Sequence, residues 1–476
     1  MMSTVNDTTR ELEIQQALRE LRTRLSGSLI EPHDPLYEEV RAVWNGMVDL
    51  RPRAVVRAGG RADIDAVLDT VRRSGLALAV RGGGHNVAGH GSVEGGLVLD
   101  LGPLKRVDVD AGSRLVTVEP GATLADVDHA TAAHNLAVPL GVISGTGVAG
   151  LTLGGGVGWL TRSNGLTLDN LVSVDVVTAT GEHLHASGQE NPELFWGLRG
   201  GGGNFGVASS FTFRARPLPP EPLGGNLFYR REHWRSALLA FAEWTRDLPE
   251  EMNPIVSFLV FPAEFGMGGD PWMVIGFAWV AEDQQAGLAL ADRLRAAAPP
   301  DEEEVGPAPW TTWQSAMDSA FPKGSRGYWK NVSFSRLDAE AVDVLLSFAS
   351  ELAWEGTGID IHHLEGAFGR VPEDATAFPN RSARYWLNVY GFWRDRAEDE
   401  RLTAFARKAH ALMQPFAEHG EYVNFLGAEV GLKGVDAARG AYGPEKFERL
   451  VALKDRYDPQ NVFRLNHNIP PTRAPG

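Results

Sequence analysis

Residues 145–165 read GTGVAGLTLGGGVGWLTRSNG, and the fold turns on the residues after the first six letters. GTGVAG matches the G-x-G-x-x-G pattern of a dinucleotide-binding turn, as does GGGNFG at 201–206, and Asp169 stands about where a ribose-binding acid is expected. In a Rossmann unit the third glycine opens a helix. Gly150 precedes five more glycines and no helical stripe, and GGGNFG leads into VASSFTFRAR, which reads as a strand. The Rossmann reading therefore fails, and the glycines belong to loops. Glycine has the most backbone freedom to lose, so clusters of it belong where the chain approaches something closely or takes φ > 0. The same texture recurs in RGGGHNVAG at 81–89, where three glycines precede His85. Exposed main-chain N–H groups on such loops can bind a pyrophosphate without a lysine. One extended phosphorylated ligand can then touch loops 82–84, 145–150, 154–158 and 200–206.

The bulk properties narrow the function. A chain of 476 residues is too long for one ordinary core, and two lobes are expected. Apolar residues make up 43% and charged residues 22%, and no apolar run has the roughly 18 to 20 residues a membrane span needs. The amino-terminal stretch reads as an amphipathic helix without a secretory apolar segment, which predicts a cytoplasmic protein with no membrane partner. A net charge of −16 argues against nucleic acid as a partner. With no cysteine, disulfides, thiolate metal sites, iron–sulfur clusters and cysteine nucleophiles are excluded, and no metal site is expected.

From about 53 to 216, AVVRAG, LALAVRGGG, GGLVLDL, RLVTVEPG, LAVPLGVISG, LVSVDVVTATG and VASSFTFRAR are short strand candidates, with helices in RADIDAVLDTVRRSG and ATLADVDHATAAHN. PLPPEPLGG at 217–225 marks a boundary. Beyond it the pattern predicts strands near 255–262, 272–281, 328–335, 358–365 and 385–393, and helices near 232–248, 283–298, 338–353 and 396–417. Neighbouring strands of that kind imply an antiparallel sheet backed by helices, an α+β solution. The tail from about 420 is expected to return to the first lobe.

Four stretches together, RGGGHN at 81–86, SGTGVAGLTLGGGVGWLTRSNGLTLDNLVSVDVVTATG at 144–181, NPELFWGLRGGGGNFGV at 191–207 and YDPQNVFRLNHNIPP at 457–471, resemble the berberine bridge enzyme-like branch of the vanillyl alcohol oxidase (PCMH-type) FAD flavoproteins. The resemblance runs in the family's order from about 50 to 471. It implies a two-lobed PCMH-type FAD-binding fold, with an FAD lobe over 1–218, whose core lies at about 50–216, a substrate lobe over 219–417, and a segment 418–476 that rejoins the first. It also implies an FAD-dependent oxidase that moves a hydride from an alcohol, sugar or amine C–H to flavin N5 and reduces O2 to H2O2. His85 maps onto the histidine that bonds covalently to the flavin. The cysteine that supplies a second bond in many relatives aligns with Ile143, so one histidyl bond is expected. Further cofactor contacts carried by the resemblance are Val80, Arg81, Gly82, Gly83, Gly84, Asn86 and Gly89, then Gly145, Thr146, Gly147, Gly150, Leu151, Gly154 and Gly155, then Gly206 and Val207, and in the tail Tyr422, Asn424 and Asn466.

The second tyrosine of the family's Y-x-N-Y stretch, which serves as base or hydrogen-bonding group in several relatives, is Phe425 here. Other catalytic candidates are therefore needed. They are Tyr422, which can equally serve only to hold the flavin, and Lys330, His363 and Glu365, which period 2 sets on the faces of YWKNVSF and IDIHHLEG that include Tyr328 and His363. If those faces point at the flavin they line the pocket; otherwise Lys330 is an edge charge and Glu365 its partner. Of Trp310, Trp313, Trp329, Trp386, Tyr390 and Trp393, most are expected in the core and one or two against a planar substrate. The partner expected is a small molecule, with O2 as electron acceptor. A dehydrogenase with another acceptor and a catalytically silent flavin-binding protein stay as alternatives, and the sequence leaves the oligomeric state open.

Overall fold

The computed structural model describes residues 2–261, 266–267, 269–352, 358–418, 420–427 and 434–473. Three large sheets organise it. The first runs Ser28–Ile30, Ala54–Arg57, Leu97–Asp100, Leu78–Arg81, the last three mutually parallel. Helix Arg61–Ser74 lays Ile64, Val67, Leu68 and Val71 on it and stops at Gly75, whose φ of +68° permits the left-handed cap. The amino-terminal helix Met2–Arg24 adds Ile14, Leu18 and Leu21 to the same core, one stripe at helical spacing.

The second sheet is antiparallel, in the order Val107–Asp110, Leu115–Val118, Val207–Arg214, Leu171–Val177, His183–Ser187. Helix Leu124–Ala132 packs on it behind a capping box of Thr123 and Asp126. The carboxyl-terminal helical stretch Gly434–Tyr457 breaks at Gly443 and Pro444, then packs Phe447, Leu450 and Leu453 against Leu194, Phe195 and Phe205. Lys454 and Asp458, both fully buried, pair at 2.7 Å. The ammonium also donates to the carbonyls of Asn204 and Phe463, so the tail is tied beside the 201–206 loop.

The third sheet has seven antiparallel strands: Glu302–Pro307, Leu223–Tyr229, Pro271–Trp279, Met252–Val260, Gly358–His363, Tyr385–Trp393, Arg326–Phe334. Helices Trp234–Trp244, Gln284–Ala297, Ala339–Ala349 and Asp399–Met413 cover one face, burying Phe241, Leu294, Phe348 and Phe405 against Ile275, Phe258, Ile361 and Leu387. The α+β expectation holds, with helices on one face only.

Local departures have physical causes. Glu302–Pro307 carries three successive glutamates and does not read as a strand, yet it lies at the sheet edge, where charge blocks further pairing. Leu223–Tyr229 starts inside the proline-rich boundary. LAVPLGVISG supplies only the two-residue strand Leu136–Ala137. A short helix, Val148–Gly154, forms where a loop was expected and ends where Gly155 takes φ +151°. Among the described residues no helix is long and apolar enough to cross a membrane, and no group of side chains fits a metal ion.

A strap between the third sheet's strands, residues 308–325, is stitched to the glycine-rich half. Trp310 Nε1 donates to Asp128 Oδ1 at 3.0 Å, Gln314 Nε2 donates to the Gly141 carbonyl, and the Ser144 amide donates to Asp318 at 2.9 Å. Burial pushes the Asp128 carboxyl up to about 7, against the lowering effect of the Trp310 hydrogen bond, and its Oδ2 has no partner. A folded-state value above the unfolded one means that stability from the protonated acid is present below about pH 4 and drains away as pH rises to about 7. Asp128→Asn should therefore raise the thermal midpoint by a few degrees at pH 8 and leave it near wild type at pH 4, measured by melting curves across that range.

Candidate active site

A cavity of about 730 Å³ lies between the glycine loops and the uncovered face of the seven-stranded sheet. Its glycine side is built by close backbone approach. A Cβ added to Gly83 would stand 2.6 Å from both Cα and N of Gly147, so the 81–86 and 144–148 segments can meet only as glycines. The tail packs behind. Asn424 fills the space a side chain on Gly154 would need, and a Cβ on Gly155 would lie 2.7 Å from the Tyr422 ring. The Tyr422 hydroxyl accepts from the Gly156 amide at 2.8 Å and from Asn424 Nδ2 at 2.9 Å.

Four buried polar atoms on this wall have no hydrogen-bond partner within the described chain: Arg81 Nη1, His85 Nε2, Asn466 Oδ1 and His467 Nε2. Buried polar groups are nearly always paired, so a row of orphans beside exposed loop backbone fits a long polar ligand such as FAD. Arg81 is itself anchored, 3.1 Å from Asp100 and donating to the Val40 carbonyl at 2.5 Å. His85 stacks on Trp44 at 4.7 Å between centroids. Burial pushes its imidazole down to about 4, so at neutral pH the ring is uncharged and one nitrogen keeps the lone pair a nucleophile needs.

The residues expected to hold the cofactor fall into two layers. Val80, Arg81, Gly82, Gly83, Gly84, His85, Asn86, Thr146, Gly147, Gly150, Leu151, Gly206, Val207, Tyr422, Asn424 and Asn466 line the cavity, whereas Gly89, Gly145, Gly154 and Gly155 do not. Gly89, at φ +80°, lies against Val48, and Gly154 and Gly155 receive the side chains of Asn424 and Tyr422. They shape the wall from behind.

The catalytic candidates need correction. Lys330, His363 and Glu365 are absent from the cavity wall. Strand faces are decided by what the helices bury: Ile359, Ile361, Tyr328, Val332 and Phe334 enter the helix-covered core, and period 2 carries His363 and Lys330 to that side with them. His363 Nε2 contacts Glu365 at 2.8 Å, and Arg162, buried beside them, donates to the carbonyls of Leu364, Met252 and Leu248. That cluster ties the segment after Gly158 to the sheet. Tyr422 does reach the cavity, but burial pushes its phenol up to about 12, so it stays protonated and serves to hold the glycine loop.

The opposite face carries the chemistry. Register aligns Ser257, Asp360, Asn388 and Asn331 in one row across four adjacent strands, and Ser257, Asp360 and Asn388 line the cavity. Ser257 Oγ donates to Asp360 Oδ1 at 2.6 Å, and the Tyr390 hydroxyl hydrogen-bonds the same carboxylate. Burial pushes Asp360 up to about 6, these two hydrogen bonds working the other way. Trp329, Tyr390 and Trp313 are the strand and strap aromatics that reach the cavity; Trp310, Trp386 and Trp393 do not. The signal for Asp360 was present in GIDIHH, where isoleucines at 359 and 361 claim the core face and leave the acid on the other.

Comparison with known proteins agrees with this geometry. Residues 52–187 match the FAD binding domain model, and residues 421–470 match the model described as berberine and berberine like. The FAD-linked oxidoreductase pgmH of Aspergillus terreus is 36% identical over 94% of this chain and 95% of its own. The solved 6-hydroxy-D-nicotine oxidase of Arthrobacter nicotinovorans superposes with a TM-score of 0.84 at 25% identity, covering 94% of this chain and 98% of that one. Glucooligosaccharide oxidase of Acremonium strictum, described with a 6-S-cysteinyl, 8α-N1-histidyl FAD, shares the fold at a TM-score of 0.84 and 23% identity, over 97% and 100% of the two chains. With its FAD binding domain, its berberine-like tail and the PCMH-type architecture, the chain belongs to the berberine bridge enzyme-like family of FAD-linked oxidoreductases.

Proposed function

We propose that this protein is a cytoplasmic oxidase of small molecules that holds its FAD by a single covalent bond to His85, and that Asp360 accepts the proton released from the substrate's O–H or N–H. The observation that carries the reading is the pairing, in one cavity, of a buried neutral histidine with an unpartnered nitrogen and a buried carboxylate. The glucooligosaccharide oxidase of like fold has both a cysteinyl and a histidyl flavin bond in its description. This chain has His85, no cysteine anywhere, and Ile143 on the cavity wall at the position aligned with the second tether. In this reading the flavin lobe comprises 1–218 and 418–476 and the substrate lobe 219–417, the latter supported by a core that gathers the seven-stranded sheet with its four helices.

The flavin, when bound, supplies a two-electron acceptor for oxidation of a substrate C–H and passes the electrons to O2. The protein's own groups do the rest. Main-chain N–H groups of the glycine loops and Arg81 meet the cofactor's phosphates and ring edge, and Asn424 and Tyr422 keep the 154–156 backbone in place. Trp44 fixes the His85 ring. Asp360, ionised at neutral pH and held by Ser257 and Tyr390, removes the substrate proton, which makes Phe425 tolerable where relatives place a tyrosine.

Two outcomes test this reading. Acid-denatured, washed wild-type protein should stay yellow, and denatured His85→Ala should release its colour; colourless washed wild type would remove the covalent tether. Asp360→Asn should lower kcat/KM for H2O2 production by about 10² to 10⁴-fold, the usual worth of a positioned base. Because the base must be ionised, wild-type kcat/KM should fall as pH drops through about 6, and that limb should vanish in the variant.

A further inference from the structure

The end of the cavity around Asp360 offers acceptors and almost no free donors. Both hydroxyls beside Asp360, those of Ser257 and Tyr390, are committed to its carboxylate, which as an ionised group retains further lone pairs. Next to it in the cross-strand row, Asn388 is 5% exposed and its Oδ1 is buried without a partner. His362, also on the wall, is pushed down to about 4 by burial and is neutral. Among the described residues the wall's sole Lys or Arg is Arg81, which is bound to Asp100 and the Val40 carbonyl beside the glycine loops.

The outer rim is acidic. Glu302 and Glu304 pair in register with Phe228 and Asn226, both cavity residues, while Glu303 turns to Arg295 at 2.6 Å. Between rim and row the surface is aromatic, with Trp329 packed edge-on against both Phe392 and Phe425.

Resting on the assignment of Asp360 above, we propose that the substrate is an amine with an apolar body, entering as its ammonium ion, whose nitrogen donates one N–H to Asp360 and a second to Asn388 Oδ1. An ammonium brings two or more donors to two buried acceptors and a positive charge to an acidic rim. A hydroxyl brings one donor and no charge. A carboxylate brings neither and is repelled. One ammonium proton passes to Asp360, leaving the neutral amine with its lone pair beside the C–H to be oxidised and the acid uncharged. Asn388 is thus a specificity-determining residue, and aromatic faces along the path favour the cation as well.

The test is calorimetric binding to flavin-loaded enzyme without oxygen, using 1-phenylethylamine, 1-phenylethanol and 2-phenylpropanoate, which share a skeleton and differ in the head group. The amine should bind at least 10-fold tighter than the alcohol, with the carboxylate weakest. Asn388→Leu should weaken the amine about 10-fold, change the alcohol less than about twofold and so collapse the preference. Asn388→Asp, equal in size, should keep the fold and tighten the amine, which guards against misfolding of the leucine variant. Equal or tighter binding of alcohol or carboxylate, no binding of the amine at millimolar concentration, or a preference that survives Asn388→Leu with a retained thermal midpoint overturns the proposal. Loss of the base assignment reads out separately, as turnover indifferent to Asp360→Asn.

Discussion

Two stretches of backbone touching at Gly83 and Gly147 set the geometry of the molecule. Neither position has room for a Cβ, because each would intrude on the other's main chain. This contact brings the end of a parallel strand, Leu78–Arg81, against the start of the helix Val148–Gly154 and leaves peptide N–H groups, rather than side chains, facing the cavity. The tail completes the arrangement by inserting Asn424 and Tyr422 against Gly154 and Gly155, and Thr167 closes on Gly156. A wall of this kind binds charge with dipoles, which suits a polyanionic cofactor in a protein that is itself strongly acidic.

The facing wall obeys a different logic. Seven antiparallel strands bury one face beneath four helices, and the large aromatic core there, with Trp234, Phe241, Phe258 and Phe277 among its members, is dry. Everything the sheet can offer a ligand must therefore come from alternate residues on the other side. The polar row through Ser257, Asp360 and Asn388 sits in the middle of that side, flanked by aromatic rings. Burial that would be a liability in a passive sheet raises the acid into the range where it can cycle its proton.

Much of this was legible beforehand, for identifiable reasons. Short β-branched runs bounded by glycine or proline announce Ala54–Arg57, Leu97–Asp100 and Leu171–Val177, and the missing helix after Gly150 excludes a Rossmann turn. His85 was legible through its neighbours. The cavity face of the large sheet was not, because Lys330, His363 and Glu365 look more chemical than their neighbours, while the face is chosen by Ile359 and Ile361, which have to meet helices distant in sequence. A slip of one position in that reading exchanges every residue on the strand. Gly154 and Gly155 look like cofactor contacts for a related reason: a glycine kept for a tail side chain and one kept for a ligand leave the same letter.

The alternation in the large sheet also bears on how such a scaffold changes over evolutionary time. Stability is written in Ile359, Ile361, Leu387 and Val389, and recognition in Asp360, His362, Asn388 and Tyr390, on the same two strands. A replacement in the second set leaves the first in contact with its helices, so new ligands can be sampled one residue at a time with little risk to folding. Proteins of this fold whose descriptions name a nicotine derivative in one case and glucooligosaccharides in another are what such a division of labour permits.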